Sequence, residues 1–306
     1  MSDYAIEAHG LTKYYGSREI VSRLDLAVPR GSIFGFLGRN GAGKSTTIRM
    51  LMGLVEPTRG AATVLGYDCR NLPPEARARI GYLPEGHNVY DWMTVEQCRN
   101  FQSAFHARWS DKIFWGVIDH FGLKSKAKAK NLSRGERAGL CLALTLAPEP
   151  DLLVLDDPAL GLDPVARRSL LESMIYVTRK EDRTILFSSH LLADVERVTD
   201  RIAVLDGGVL RADCLLGTFQ ERIRRFRLKF EGSVPDPAAL PKLLHSTPGD
   251  HELLLTFANS DRDVQDRLSA LAPTRIDEVP IGFEDAFIDF IGDRGRKSLF
   301  LDESAQ

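Results

Sequence analysis

The feature that most restricts this chain is a short apolar run, residues 32–37 (SIFGFL), that enters a glycine-rich turn and leaves it as a helix-patterned segment. The turn reads Gly38-Arg39-Asn40-Gly41-Ala42-Gly43-Lys44-Ser45-Thr46 and satisfies G-x-x-x-x-G-K-[ST], with a strand before it and a helix after it. Glycines let successive backbone N–H groups curl around phosphate oxygens with no Cβ in the way. Lys44 then sets an ammonium on the β- and γ-phosphates, and the Ser45 hydroxyl is a Mg²⁺ ligand. The helix that starts here points its positive end at the anion. Its apolar residues Ile48, Leu51, Met52 and Val55 suit one helical face, and Pro57 is expected to stop it. This is a nucleotide site.

A second strand supports it. Residues 152–155 (LLVL) run into Asp156 and Asp157. An acid at the tip of a buried strand beside a phosphate loop holds Mg²⁺ directly or through water, the role assigned to Asp156. Asp157 projects differently and is a candidate to orient or deprotonate an attacking water. Further apolar runs at 184–187 and 202–205 alternate with helix-like segments, the pattern of a parallel sheet with crossover helices.

Residues 4–30 read as short extended segments punctuated by Gly16 and residues 29–31. Residues 86–147 carry Trp92, Phe101, Phe105, Trp109, Phe114, Trp115 and Phe121 among charges without strand alternation, which predicts a mostly helical insertion. After about Gly217 the chain changes character. Basic RIRRFRLKFEG, proline-rich VPDPAALP, then strand-like HELLLTFANS and helix-like DVQDRLSALAP predict a small α+β domain over 218–306, with a frayed tail after Gly292. The lysines of residues 124–130 (KSKAKAK) read as a solvated linker. Arg222, Arg224, Arg225, Arg227 and Lys229 read as a solvated strand face, with contact to anionic lipid or an acidic partner as the other reading.

Composition narrows the function. Forty Lys+Arg against 42 Asp+Glu leave a net charge of −2, which argues against a whole-chain nucleic-acid binder. No apolar run approaches the roughly 20 residues that cross a bilayer, and MSDYAIEAHG has neither the basic nor the apolar region of a secretory signal. A membrane role is therefore expected to come through another chain. The four cysteines (Cys69, Cys98, Cys141, Cys214) are scattered, as in a reduced cytosolic protein without a zinc site.

A phosphate loop alone fits kinases, GTPases and many ATPases. What separates them is Asn131-Leu132-Ser133-Arg134-Gly135-Glu136 upstream of Asp156, Gly161-Leu162-Asp163 after the acids, and His190 at the end of TILFSSH. This ordered set resembles the nucleotide-binding domain of ABC ATPases over about residues 4–216. The resemblance implies an α/β P-loop NTPase sheet with an N-terminal antiparallel β subdomain, a helical subdomain at about 86–147 and a motor domain spanning 1–217. It also implies ATP and Mg²⁺ as ligands and a head-to-tail homodimer or heterodimer that sandwiches two ATP molecules. In that dimer the phosphate loop of one copy faces residues 133–136 of the other. Ser133 and Glu136 make an S-x-x-E capping box, so a helix begins there whose free N–H groups suit a γ-phosphate in trans. Tyr15 resembles the family's adenine-stacking aromatic, with Tyr14 as the alternative register, and His190 the histidine that contacts the γ-phosphate. Glu85, in GYLPEG, stands where the family has a glutamine near Mg²⁺ or water.

The departures carry chemical weight. LSRGE replaces the family's LSGGQ at Arg134 and Glu136, Glu85 adds negative charge, and Asp157 stands where the family has a catalytic glutamate. An aspartate is one methylene shorter, and misplacement by about 1 Å costs on the order of 10²-fold in rate, so slow hydrolysis is expected. The closing segment Gly282-Phe283-Glu284-Asp285-Ala286-Phe287-Ile288 resembles the C-terminal extension of transporter ATPases whose permease is a separate polypeptide. It would pack against its twin or regulate the motor. The resemblance implies a motor on the cytoplasmic face of a membrane, driving a permease in trans, towards export, with docking expected near residues 90–93. Three rivals stand beside it. A soluble ATPase acting on ribosomes or DNA would need a second motor or a coiled-coil insertion, and a kinase would leave LSRGE without a task. A non-hydrolysing regulatory subunit is the third.

Overall fold

The computed structural model describes residues 2–179, 183–237, 240–259, 262–292 and 301–302. It divides into two compact units, Met1–Leu210 and Arg211–Gln306. The division falls a little before the boundary expected at Gly217.

The first unit opens with strands β1 (Tyr4–Tyr15) and β2 (Arg18–Pro29), paired antiparallel across the Gly16 turn. Short separate segments are expected here, but each strand is 12 residues long. The apparent interruptions in the pattern are register shifts, such as the one between Ala8 and Leu11, which absorb extra residues without breaking the strand. After β3 (Ile33–Leu37) and α1 (Lys44–Leu51), strands β4 (Arg59–Val64) and β5 (Tyr67–Asp68) complete an antiparallel sheet ordered β2-β1-β4-β5. Helix α1 stops before Pro57 acts. Gly53, at φ +67, takes the left-handed turn, its N–H bonds Met50 O at 3.1 Å, and Leu54 N–H bonds Arg49 O at 2.9 Å. Those two bonds form a Schellman cap, so Gly53 ends the helix.

The chain continues through α2 (Pro74–Arg77), β6 (Ile80–Leu83), α3 (Val95–Ser103), α4 (Asp111–His120), α5 (Arg134–Leu146), β7 (Leu152–Asp156), α6 (Pro164–Arg179), β8 (Thr184–Ser189), α7 (Leu192–Val198) and β9 (Arg201–Asp206). The strands form a parallel sheet in the order β9-β3-β8-β7-β6. Every residue of β7 and β8 is buried, as a sheet covered on both faces requires. Register positions the site: Leu37 pairs with Ser189, and Asp156 with Ser188, so β3, β7 and β8 end along one edge.

Helices α3 to α5 make the expected helical insertion. Thr94 with Gln97 caps α3, Ser110 caps α4, and Ser133 with Glu136 caps α5. The lysines at 124, 126, 128 and 130 are exposed while Ala129 between them is fully buried, its N–H on Met93 O at 2.8 Å. The linker thus has a solvated face and an anchored one.

The second unit holds most of β10 (Val209–Leu215), then α8 (Leu216–Arg222), β11 (Ile223–Lys229), β12 (Leu243–Pro248), β13 (Glu252–Ala258), α9 (Arg262–Ala270), β14 (Arg275–Val279) and α10 (Phe283–Gly292). Its antiparallel sheet runs β12-β13-β11-β14, with Phe226, Leu228, Leu253, Leu255 and Phe257 packed against Val264 and Leu268 of α9. The basic stretch is partly neutralised inside this unit. Arg224 pairs with Glu278, and Arg225 meets Asp289 of α10 at 2.9 Å. The tail expected to fray after Gly292 lies outside the described residues, apart from residues 301–302. No helix among the described residues is long and apolar enough to cross a membrane.

Gly139 of α5 lets α4 approach: a Cβ there would sit 2.4 Å from Cγ of Phe121. Overpacking of this kind costs about 1–3 kcal/mol. Gly139→Val is therefore expected to lower the urea midpoint of the first unit by a corresponding amount, and an unchanged midpoint would contradict the packing described.

Candidate nucleotide site

The loop after β3 wraps the start of α1. Gly38, at φ +157, leaves no room for a side chain, since a Cβ would lie 2.2 Å from Leu205 O. Gly43 is the N-cap of α1 and supplies no side chain to its first N–H groups, leaving them for an anion. Lys44 is buried and reaches back to Gly38 O at 2.7 Å and Arg39 O at 3.3 Å. Burial pushes its ammonium below the usual lysine range, while Asp157, Asp156 and Glu85 oppose that shift. Three carboxylates and one buried ammonium therefore share this space.

The strand tips supply the acids. Asp156, 1% exposed, accepts from Ser45 Oγ at 3.0 Å and Ser188 Oγ at 2.8 Å, both on Oδ1. Its Oδ2 is buried without a partner. A buried carboxylate oxygen left unpaired is costly, and an oxygen-rich donor set of this kind suits a hard divalent cation. Asp157 follows with φ +46, a left-handed conformation for a residue with a side chain. Its N–H bonds Ser188 Oγ at 2.9 Å, its Oδ2 lies 2.6 Å from His190 Nδ1, and its Oδ1 is buried and unpaired. His190 thus holds the Asp157 carboxylate directly.

These groups border one cleft of about 420 Å³, lined by Asn40, Gly41, Ala42, Gly43, Lys44, Ser45, Thr46, Glu85, Asp156 and Asp157, together with Arg18, Ile20, Leu160 and Ser188.

The ABC transporter family model matches residues 21–160. The Nod factor export ATP-binding protein I of Bradyrhizobium diazoefficiens is 38% identical over 213 residues, covering 68% of this chain and 69% of that one. The bacitracin transport ATP-binding protein BcrA of Bacillus licheniformis is 32% identical over 250 residues, 81% of each chain. A solved structure of the ATP binding subunit of an ABC transporter matches with a TM-score of 0.64 and 30% identity, over 71% of this chain and 92% of its own. This chain belongs to the ABC transporter ATP-binding family.

In this ABC chain the residues singled out from sequence do not all gather in one place. Gly38 and Arg39 form the base of the loop, held by Lys44. Tyr15 ends β1 half exposed, with Lys13 Nζ 5.1 Å from its ring centre, and does not line the cleft. Ser133, Arg134, Gly135 and Glu136 also lie outside it. Ser133 Oγ accepts from Glu136 N at 3.2 Å and Glu136 Oε2 from Ser133 N at 2.8 Å, closing the capping box. Asp163 caps α6, its Oδ1 accepting from Val165 N and Ala166 N. Helices α5 and α6 meet closely, since a Cβ on Gly135 would lie 2.6 Å from Ala166 Cβ.

Four residues escaped the sequence reading. Ser188 is the most consequential, and the signal for it was present: a polar pair ends the otherwise apolar TILFSSH, and a buried hydroxyl needs partners. His87 is another, 6% exposed with Nε2 2.8 Å from Pro158 O. Burial pushes its imidazole below the usual histidine range, opposed by the Pro158 bond and Asp157. Arg167 on α6 and Asp194 on α7 form an ion pair at 3.2 Å, and burial raises the Asp194 carboxyl against that attraction.

Ser188→Ala removes the donor on Asp156 and the acceptor for Asp157 N–H together. A hydrogen bond to a charged group contributes about 1.5–3 kcal/mol. The substitution is expected to lower unfolding free energy by that order and to weaken ATP binding by calorimetry, with Ser188→Thr restoring most of both. Parent-like values for Ser188→Ala would contradict the arrangement.

Proposed function

We propose that this chain is the ATP-hydrolysing motor of an ABC transporter whose membrane part is a separate permease, working by ATP-driven closure of two copies. One observation carries the reading: the cleft assembles the phosphate loop and both acids, yet the Ser133 helix tip is absent from its lining. A second copy, or a paired ABC ATPase, would supply that tip. Ser45 and Asp156, with Glu85 nearby, would hold Mg²⁺, which neutralises phosphate charge. Asp157, braced by His190, would polarise the attacking water. Tyr15 would stack on adenine, and Arg134 and Asp163 would lie against the partner copy.

The names of relatives support a direction. One is a Nod factor export protein and another a bacitracin transport protein, so export is the reading for this chain too. Tyr90, Trp92, Phe101 and Phe105 are exposed and form a continuous ring cluster with centroids 5.2–6.2 Å apart. Such a patch on the helical insertion suits a permease helix, placing the motor on the cytoplasmic face of the membrane. The accessory domain expected over residues 218–306, which lies within the second unit, would regulate the motor or pair with its twin.

Phosphate release from Mg-ATP tests the hydrolytic step. The parent is expected to turn over slowly, Asp157→Asn to lose on the order of 10²-fold or more, and Asp157→Glu to run faster because its reach is longer. Equal rates for the parent and Asp157→Asn would favour a regulatory subunit that binds ATP without cleaving it. A fall in Asp157→Glu would mean that the aspartate is already correctly placed.

A further inference from the structure

We propose that His87 is a positioning residue for ATP hydrolysis, its Nε2–H fixing the turn that carries Asp157 to the segment leading into the helical insertion. The inference rests on the hydrolytic reading above. His87 is buried between the exposed Gly86 and Asn88. Its backbone is left-handed at φ +49, a conformation that residues with a Cβ rarely adopt. The Pro158 carbonyl 2.8 Å from Nε2 can only accept, so Nε2 carries the proton. Pro158 has no N–H, and this carbonyl is its one backbone polar group. Pro158 directly follows Asp157, itself left-handed at φ +46, so one hydrogen bond joins two left-handed turns distant in sequence.

The same segment is anchored at its other end. Asp91 Oδ1 accepts from Arg137 of α5 at 2.9 Å, and Asp91 O accepts from Lys130 N at 3.1 Å. Residues 87–91 therefore run from the Asp157 turn to the helix that begins at Ser133. A shift of α5 is passed through Asp91 and His87 into the aim of Asp157.

The test uses the full chain and Mg-ATP, with kcat, KM and thermal midpoint measured for two substitutions. Glutamine sets its amide nitrogen about where Nε2 stands. Asparagine tolerates the left-handed backbone better but is too short to reach Pro158. His87→Asn is expected to lose kcat by roughly tenfold with KM little changed, since small misplacements near the reacting atoms act on rate. His87→Gln is expected to keep kcat within about twofold of the parent.

The reverse order, with asparagine active and glutamine poor, would mean that the site matters only for its backbone and would overturn the proposal. A loss confined to KM would also overturn it. Should His87→Asn not fold, Asp91→Ala decides: it removes the acceptor for Arg137 at the far anchor without touching His87, and an unchanged kcat contradicts the proposal. Absence of turnover in the parent would instead remove the hydrolytic reading, and this inference with it.

Discussion

Asp156 sits where three parallel strand ends converge, and the site is organised around its carboxylate. Pairing of β7 with β8 sets Asp156 beside Ser188, and pairing of β3 with β8 brings the phosphate loop to the same edge. Ser45, at the start of α1, then reaches across to Asp156 Oδ1 at 3.0 Å. Without that register the loop and the acids would be two unrelated surface features. The carboxylate is nearly inaccessible to water, so its charge must be balanced by donors and cations. Ser45, Ser188 and the nearby Lys44 ammonium supply part of that balance, and the unpaired Oδ2 marks where more is needed.

The adjacent Asp157 turn is held from three directions: Ser188 on its N–H, His190 on its carboxylate, and His87 on the carbonyl of the next residue. A left-handed aspartate persists when its surroundings over-determine it. Strand register, a histidine at the end of β8 and a segment from the helical insertion do so together. The geometry around Asp157 is thus a product of packing as well as of residue type.

Much of this was legible in the sequence, for identifiable reasons. The G-x-x-x-x-G-K-S run, the apolar strands and the Ser133–x–x–Glu136 pattern are local signals, and local hydrogen bonds realise each of them. Helix ends were harder: Pro57 looked like the terminator of α1, but Gly53 acts first because its φ of +67 closes two backbone bonds. The long N-terminal strands were hidden by register shifts that break simple alternation. Ser188 carried only the weak signal of a polar pair closing an apolar run, while His87, Arg167 and Asp194 gave none, because their partners are distant in sequence. In the basic stretch of β11, Arg227 and Lys229 are exposed as a solvated strand face requires, while Arg224 and Arg225 find carboxylates within their own unit, which the run of like charges did not reveal.

The cleft gathers the phosphate loop and both acids while the helix tip at Ser133 lies outside its lining, and the proposed motor depends on a second copy bringing that tip. Light scattering on size-exclusion chromatography of Asp157→Asn, the variant expected to turn over least, tests this directly. Saturating Mg-ATP is expected to convert monomers to dimers, while Mg-ADP leaves them monomeric. Monomers that persist in saturating Mg-ATP would contradict the account.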